Sequence, residues 1–324
     1  MKPILGRLAV AFAIAALVPA AMAQGFPDGK PIRIVVPYTP GGPNDLVGRM
    51  YAERLGARFG TPAVVDNKPG ASGTIGGEAV ARAKPDGLTL LIAAPSSTTI
   101  NAGLMPNMPF DPVKDFAAIS TLATTVMVLV ANPALNVASV KELVALSKSR
   151  DKPLTFGSAG TGSAGHLAGE MFRTMTGAKI THVPYKGGAP AMADLLGGHI
   201  DLMFADGTVA ATQIRASKVK GVAVTGSSRL RALPDVPTVK ESGVPDYEVV
   251  SWFGVLAPAG TPREVIRVLH EEAQRLNESP EYRTKLEPLG AEPAPISSDA
   301  FQALLAQDVE KWKKVIKDSG AKPD

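Results

Sequence analysis

The chain is 324 residues long, carries a formal charge of +4 and contains no cysteine. Disulfides, thiol catalysis and cysteine-ligated metals are therefore excluded. Its 34 basic residues are scattered among 30 acidic ones and 5% of residues are aromatic, which excludes the clustered basic footprint of a nucleic-acid binder and leaves a weak pull on acidic solutes.

Lys2 and Arg7 flank the start of an apolar run over residues 8–18, and Ala21-Met22-Ala23 follows. This pattern reads as a secretory signal peptide spanning residues 1–23, cut after Ala23. The run is too short for a comfortable membrane span, so an exported, soluble protein is expected. The remainder, about 300 residues, is long enough for two domains.

Ile32-Arg33-Ile34-Val35-Val36 predicts a buried strand. It runs into Pro37-Tyr38-Thr39-Pro40-Gly41-Gly42-Pro43-Asn44-Asp45, where Asn44 or Asp45 can cap a helix. That helix carries Leu46, Met50, Leu55 and Phe59 near one face. A strand over 63–67, a turn at Pro69-Gly70-Ala71-Ser72-Gly73, a helix, and a strand over 88–93 follow. The alternation implies parallel βαβ units with helices on both faces. Val126-Met127-Val128-Leu129-Val130 predicts a strand leaving the first sheet. Residues 130–225 repeat the alternation. Within them Leu154-Thr155-Phe156 leads into Gly157-Ser158-Ala159-Gly160-Thr161-Gly162-Ser163-Ala164-Gly165-His166 and a helix. An apolar strand over 249–258 predicts a return crossing. Thr261-Pro262-Arg263-Glu264 predicts a capped helix start. The last helix carries Phe301, Leu304, Leu305, Trp312 and Ile316 at packing positions.

Three loops share a small, hydroxyl-rich character: residues 38–45, 94–101 and 157–166. Each lies at the carboxyl end of a predicted parallel strand, the edge where ligands of open α/β sheets bind. Tyr185-Lys186-Gly187-Gly188 and Asp206-Gly207 fall on the same edge. Neither main loop contains Arg or Lys, so an anion would be held by amides, hydroxyls and helix termini. Gly160-Thr161-Gly162-Ser163-Ala164-Gly165 fits G-x-G-x-x-G, but the next strand ends in Tyr185-Lys186 without the ribose-binding acid. A hydrolase built from Ser163, His166 and Asp206 is a second possibility, although Thr161 breaks the G-x-S-x-G elbow. His182, His199 and His270 lack metal-ligand spacing, so no metal is expected. Asp206 either accepts from a ligand or caps the following helix. Ser96, Thr98, Asp206, Trp252 and Phe253 are the candidates for specificity at the far end of a ligand.

Taken together, several motifs resemble the Bug family, the periplasmic substrate-binding proteins of tripartite tricarboxylate transporters. They are Lys30-Pro31-Ile32-Arg33-Ile34-Val35-Val36-Pro37-Tyr38 with Pro40-Gly41-Gly42 and Asp45; Val65-Asp66-Asn67-Lys68-Pro69-Gly70-Ala71; Pro85-Asp86-Gly87; Gly157-Ser158-Ala159-Gly160 with Gly162-Ser163 and His166-Leu167; Val183-Pro184-Tyr185-Lys186-Gly187; and Pro234-Asp235-Val236-Pro237-Thr238. The resemblance implies an α/β fold of the type II-like periplasmic binding proteins, two doubly wound sheets joined by crossing strands that close like a Venus flytrap. Residues 24–125 with 251–324 would form domain 1 and residues 126–250 domain 2. It implies a small carboxylate ligand, membrane permease subunits as partners, a monomer, no cofactor and no catalysis. The binding positions it implies, together with those read from the loops, are Tyr38, Thr39, Gly41, Gly42, Asn44 and Asp45; Ser96, Ser97 and Thr98; Ser158, Ala159, Thr161, Gly162, Ser163 and His166; and Lys186, Gly187, Asp206 and Trp252. An exported serine hydrolase and an orphan binding protein acting in sensing remain the alternatives.

Overall fold

The computed structural model describes residues 25–321. The signal-peptide reading of residues 1–23 lies outside them. Strand β1 (Ile32–Val36) leads through a Gly-rich loop into α1 (Pro43–Phe59), and β2 (Ala63–Asn67), α2 (Thr74–Ala81) and β3 (Thr89–Ala93) continue the alternation. A short α3 (Asn101–Leu104) precedes the long β4 (Phe116–Ala131). Then come α4 (Val140–Ser149), β5 (Leu154–Ser158), α5 (Ala164–Thr176), β6 (Ile180–Pro184), α6 (Gly188–Leu196), β7 (Leu202–Asp206), α7 (Gly207–Arg215) and β8 (Lys220–Val224). The chain returns in β9 (Val250–Pro258), α8 (Arg263–Glu278), α9 (Pro280–Leu286), β10 (Ala291–Pro293) and α10 (Ser298–Ser319).

The strands run in the order β2-β1-β3-β9-β4-β7-β5-β6, with β8 and β10 also paired to β4. The β1–β2, β1–β3, β5–β6 and β5–β7 pairs are parallel, as the alternation demands. The apolar runs of β3 and β7 follow from burial on both faces, while β2 and β6 are partly exposed edge strands. β4 is 16 residues long, longer than the five-residue run its sequence marks, and it belongs to both halves of the sheet. Its first part pairs antiparallel with β9, from Phe116↔Pro258 to Val126↔Val250. Its last part pairs with β7, from Met127↔Asp206 to Ala131↔Leu202. β4 therefore carries the chain from one half of the sheet to the other, and β9 begins the return.

Each half packs apolar side chains on both faces. Ile34, Leu90 and Ile92 meet α1 and α8 on one face of the first half, and Leu91, Trp252, Phe301 and Leu305 fill the other. In the second half Phe156, Phe172 and Phe204 pack together, opposite Val128, Met192 and Met203. Helix α10 reaches both halves: Phe301 and Leu305 enter the first core, and Trp312 and Ile316 join Ile100 in the second.

Two local readings differ from the structure. The inward stripe of α1 is Val47, Tyr51 and Leu55, while Leu46 is exposed. Gly48 sets this rotation, because it lies so close to the sheet that a Cβ there would come within 3.0 Å of Val36 Cγ2 and 3.1 Å of Ile92 Cγ1. Helix α8 starts at Arg263 with Pro262 at its N-cap and no side-chain cap. The Thr261 hydroxyl instead donates to the Pro258 carbonyl.

Candidate ligand-binding site

The carboxyl ends of β1, β3, β5 and β7 approach the place where β4 passes between the halves. Ala93 of β3 pairs with Gly254 of β9, which pairs with Thr121 of β4. Asp206, the last residue of β7, lies opposite Met127 six residues further along β4. The loops leaving these strands therefore gather around one gap.

The first loop is held from below by Asp45. Its carboxylate is buried and accepts from Gly41 N at 2.9 Å, Arg49 Nε at 2.8 Å and Asn67 Nδ2 at 2.9 Å. Asn67 Nδ2 also donates to the Tyr38 carbonyl at 3.1 Å. Asp45 is thus a brace for the loop and not a helix cap; Gly42 occupies the N-cap of α1 without a side-chain hydrogen bond. Thr39 and Gly41 are exposed, and Gly41 has a left-handed φ of 87°. Asn44 Oδ1 is buried with no hydrogen-bond partner among the described residues. Uncapped amides at the start of a helix carry partial positive charge and suit an anion.

Burial alone would raise the Asp45 carboxyl. The Arg49, Gly41 and Asn67 hydrogen bonds outweigh it and hold the group below its usual range. A carboxyl with a depressed native pKa contributes stability above the unfolded value, near 3.9, and loses it as pH falls through the native value. The stability gap between wild type and Asp45→Asn is expected to be full at neutral pH and to shrink below about pH 4. Denaturant unfolding at a series of pH values measures it; a gap independent of pH would contradict this role.

The second loop is mostly turned inward. Ser97 Oγ bonds both the amide and the carbonyl of Ala94, and Thr98 Oγ1 donates to the Ala94 carbonyl at 2.7 Å. Both residues are buried, so neither presents a hydroxyl to the gap. Ser96 is half-buried and its Oγ lies 2.8 Å from the Tyr38 hydroxyl, tying the first two loops together. Burial pushes the Tyr38 phenol up, against its bonds to the neighbouring serines.

One wall is absent from the sequence-derived set. Gly70, Ala71, Ser72 and Gly73 have φ values of 126°, 45°, 53° and 89°. Such backbone costs on the order of 1–2 kcal/mol per non-glycine residue and clusters at functional sites. Asn101 Nδ2 holds the turn by donating to the Ser72 carbonyl at 2.9 Å. A Cβ on Gly73 would come within 2.7 Å of Ser97 Cβ and 3.4 Å of Pro37 Cβ, so this turn abuts both loops. Its signal was the Pro69-Gly70-Ala71-Ser72-Gly73 composition, which marks a turn without showing that it faces the gap.

The third loop is braced by two histidines. Ser158 Oγ lies 2.6 Å from His182 Nε2, donates to the Gly160 carbonyl at 3.0 Å and accepts the Gly160 amide at 3.1 Å. The His182 and His166 rings stack at 3.9 Å. His166 Nδ1 accepts the Gly162 amide at 3.1 Å, and Ser163 Oγ caps α5 by accepting His166 N at 3.3 Å. Ser158 and His166 are buried. Of the three hydroxyls expected to reach a ligand, Ser158 and Ser163 are spent inside the loop, and Thr161 is half-exposed with no side-chain hydrogen bond among the described residues. The outward groups are Ala159, Thr161 and the main chain through Gly162. Gly162 also touches the other side of the gap, since a Cβ there would meet Leu104 Cδ1 at 2.7 Å.

This bonding argues against a Ser163–His166 nucleophile and base. Ser163 Oγ faces the α5 amide, and His166 Nδ1 faces Gly162. Ser158 and His182 do have the separation of such a pair, but Ser158 is fully buried and out of reach of a substrate carbonyl.

At the rim, Lys186 is exposed and Gly187 stands at the uncapped start of α6 with a φ of 116°. Tyr185 donates to Asp194 Oδ2 at 2.7 Å; burial and that carboxylate push its phenol up to about 12. Asp206 occupies the N-cap position of α7 but makes no capping hydrogen bond. Its carboxylate is open to water within a concave surround, whose desolvation raises its pKa. Trp252 departs furthest from expectation: its indole is buried edge-on against Phe301, and Nε1 donates to Asp308 Oδ2 at 2.8 Å. Phe253 faces the opposite core, against α1 and α8.

Comparison with known proteins gives the family of the chain. Residues 47–321 match the family model described as the tripartite tricarboxylate transporter family receptor. The chain is 33% identical to Protein BugT of Bordetella pertussis over 99% of both chains. An R. palustris protein solved with adipate is 36% identical, with a TM-score of 0.74 over 90% of this chain and 98% of that one. MatC of Rhodopseudomonas palustris, solved with bound malate, is 29% identical, with a TM-score of 0.69 over 88% and 98%. The chain belongs to the tripartite tricarboxylate transporter receptor family, among the Bug-type periplasmic solute-binding proteins.

Proposed function

We propose that this protein captures a small dicarboxylate in the gap between the β1–α1 and β5–α5 loops and presents it in the periplasm to the permease of a tripartite tricarboxylate-type transporter. The reading rests on one observation above others: two braced, glycine-rich strand-to-helix loops, without Arg or Lys, lie at one gap. Relatives of the same fold hold adipate and malate. One carboxylate would be gripped by the main-chain amides of Thr39, Gly42, Ala159 and Thr161, with the Thr161 hydroxyl and bridging waters. Backbone donors need no long side chain to be ordered, which lowers the cost of binding. Asp206 and Lys186, at the rim, would meet the distal end of the ligand.

In this reading residues 24–125 with 251–324 form one domain and residues 126–250 the other. They close by a hinge at β4 and β9, and the protein works as a monomer. A thermal-shift screen of four- to six-carbon dicarboxylic acids on ligand-free protein tests the proposal. Ligand at a hundredfold excess over Kd stabilises by about 2.7 kcal/mol, which raises Tm by roughly 5–10 °C. No shift with any member would count against solute capture.

A further inference from the structure

A cavity away from the loops lies behind the crossing strands. It has a volume of about 570 Å³ and sits between the crossing strands and α10; Trp252 alone among the sequence-derived positions lines it. Its floor is Thr124, Val126 and Val250, and its walls come from residues 226–230 on one side of the crossing and from β10 and α10 on the other. This is the size of a small-molecule site.

Its charge is unbalanced. Asp308 is 7% exposed and uses one oxygen to accept Trp252 Nε1. Among the described residues its other oxygen, Oδ1, has no hydrogen bond, and Asp308 lines the cavity. Glu248 and Glu292 also line the cavity, and neither carboxylate has an ion pair among the described residues. Two cations line the cavity as well, so three carboxylates face two cations, and Lys311 lies near enough to Asp308 and Glu248 to feel both. Lys311 Nζ donates to the Glu248 carbonyl at 2.6 Å and lies over the Trp312 ring, and Arg229 is bound by Glu241 and the Pro234 carbonyl. Desolvation raises the Asp308 carboxyl, against the Trp252 bond and Lys311, and it lowers Lys311, as a recessed setting requires. A buried carboxylate with a free oxygen is best matched by a cation. No group of His, Asp and Glu able to hold a metal ion occurs among the described residues. The apolar surface of Trp252, Ile296 and Leu304 beside Asp308 suits an alkyl chain.

We propose that this cavity is a second ligand site, for a small organic ammonium compound with a short alkyl body, its ammonium seated against Asp308. Both sides of the crossing contribute walls, so hinge motion changes the cavity. On the solute-capture reading, an amine bound here changes carboxylate affinity, and the carboxylate changes amine affinity by the same factor.

The test is a titration of the full exported chain with 1,4-diaminobutane in the absence of carboxylate, followed by tryptophan emission. The chain has two tryptophans; Trp252 lines the cavity and Trp312 lies beside Lys311. A saturable change is expected, absent with 1,4-butanediol. Asp308→Asn keeps an acceptor for Trp252 and should weaken binding at least tenfold, 1.4 kcal/mol at 25 °C. Glu292→Gln should weaken it less and keeps the test open if Asp308→Asn misfolds by circular dichroism. No saturable change at millimolar amine, an equal response to the diol, or unaltered binding by both variants would overturn the site. Since no carboxylate is present, failure of the solute-capture reading would leave this result intact. Carboxylate binding without an amine response would overturn this inference alone.

Discussion

Gly160→Ala is expected to weaken dicarboxylate binding at least tenfold while the protein stays folded. Gly160 has a φ of 126°, where an L-residue is strained, and an added Cβ would meet the Tyr185 carbonyl at 3.3 Å. Such strain costs about 1–3 kcal/mol where the backbone is held, and a loop edge relieves it by moving. The movement pulls the Gly160 amide and carbonyl off Ser158 Oγ, which both now bond, and re-aims the amides through Gly162. A tenfold loss corresponds to about 1.4 kcal/mol, within the strain available. Calorimetry with circular dichroism checks it. A Kd within twofold of wild type would remove the loop from the binding site.

The largest expected loss of stability is at Glu272. This carboxylate is 1% exposed on α8, and Arg54 Nε at 2.7 Å, Arg58 Nε at 3.1 Å and Arg275 all donate to it. Arg54 and Arg58 belong to α1, so Glu272 joins two helices that share the first core. Glu272→Ala removes a buried charge bound by three guanidiniums, each more than a third exposed. Because those arginines can rehydrate, the cost stays near the low end for breaking a buried pair, about 3 kcal/mol. Tm should fall by roughly 5–10 °C. Arg58→Ala, which removes only a half-exposed partner, should cost less than about 1 kcal/mol. Thermal unfolding of both variants separates the two; equal losses would mean that Glu272 is not the centre of the network.

The fold was legible because parallel strands buried on both faces leave unbroken apolar runs, and because glycine and proline mark the turns that follow them. The positions of the three loops at strand ends came from that rule alone. What their hydroxyls do was not legible. Ser158 and His182 lie 24 residues apart and meet only because β5 and β6 pair in register. Ser163 reads equally as a donor to ligand or as a helix cap until the α5 amide is seen on its oxygen. Asp206 stands at a cap position in sequence and in space, yet its side chain does not cap. Trp252 failed as a cleft residue because strand alternation gives two faces without saying which meets the ligand; α10, arriving from far along the chain, claims its face through Asp308. The Gly70–Gly73 turn was read only as a turn, since its four left-handed residues include Ala71 and Ser72, whose conformation composition does not announce.

The central claim is that one ligand is held at once by the loop after β1 and the loop after β5. Hydrogen exchange of ligand-free protein, with and without a dicarboxylate that raises its Tm, tests it most directly. The account predicts that amides in both residues 38–45 and residues 157–166 become protected together. Protection confined to one loop, or to the cavity beside α10 with both loops unchanged, would contradict it.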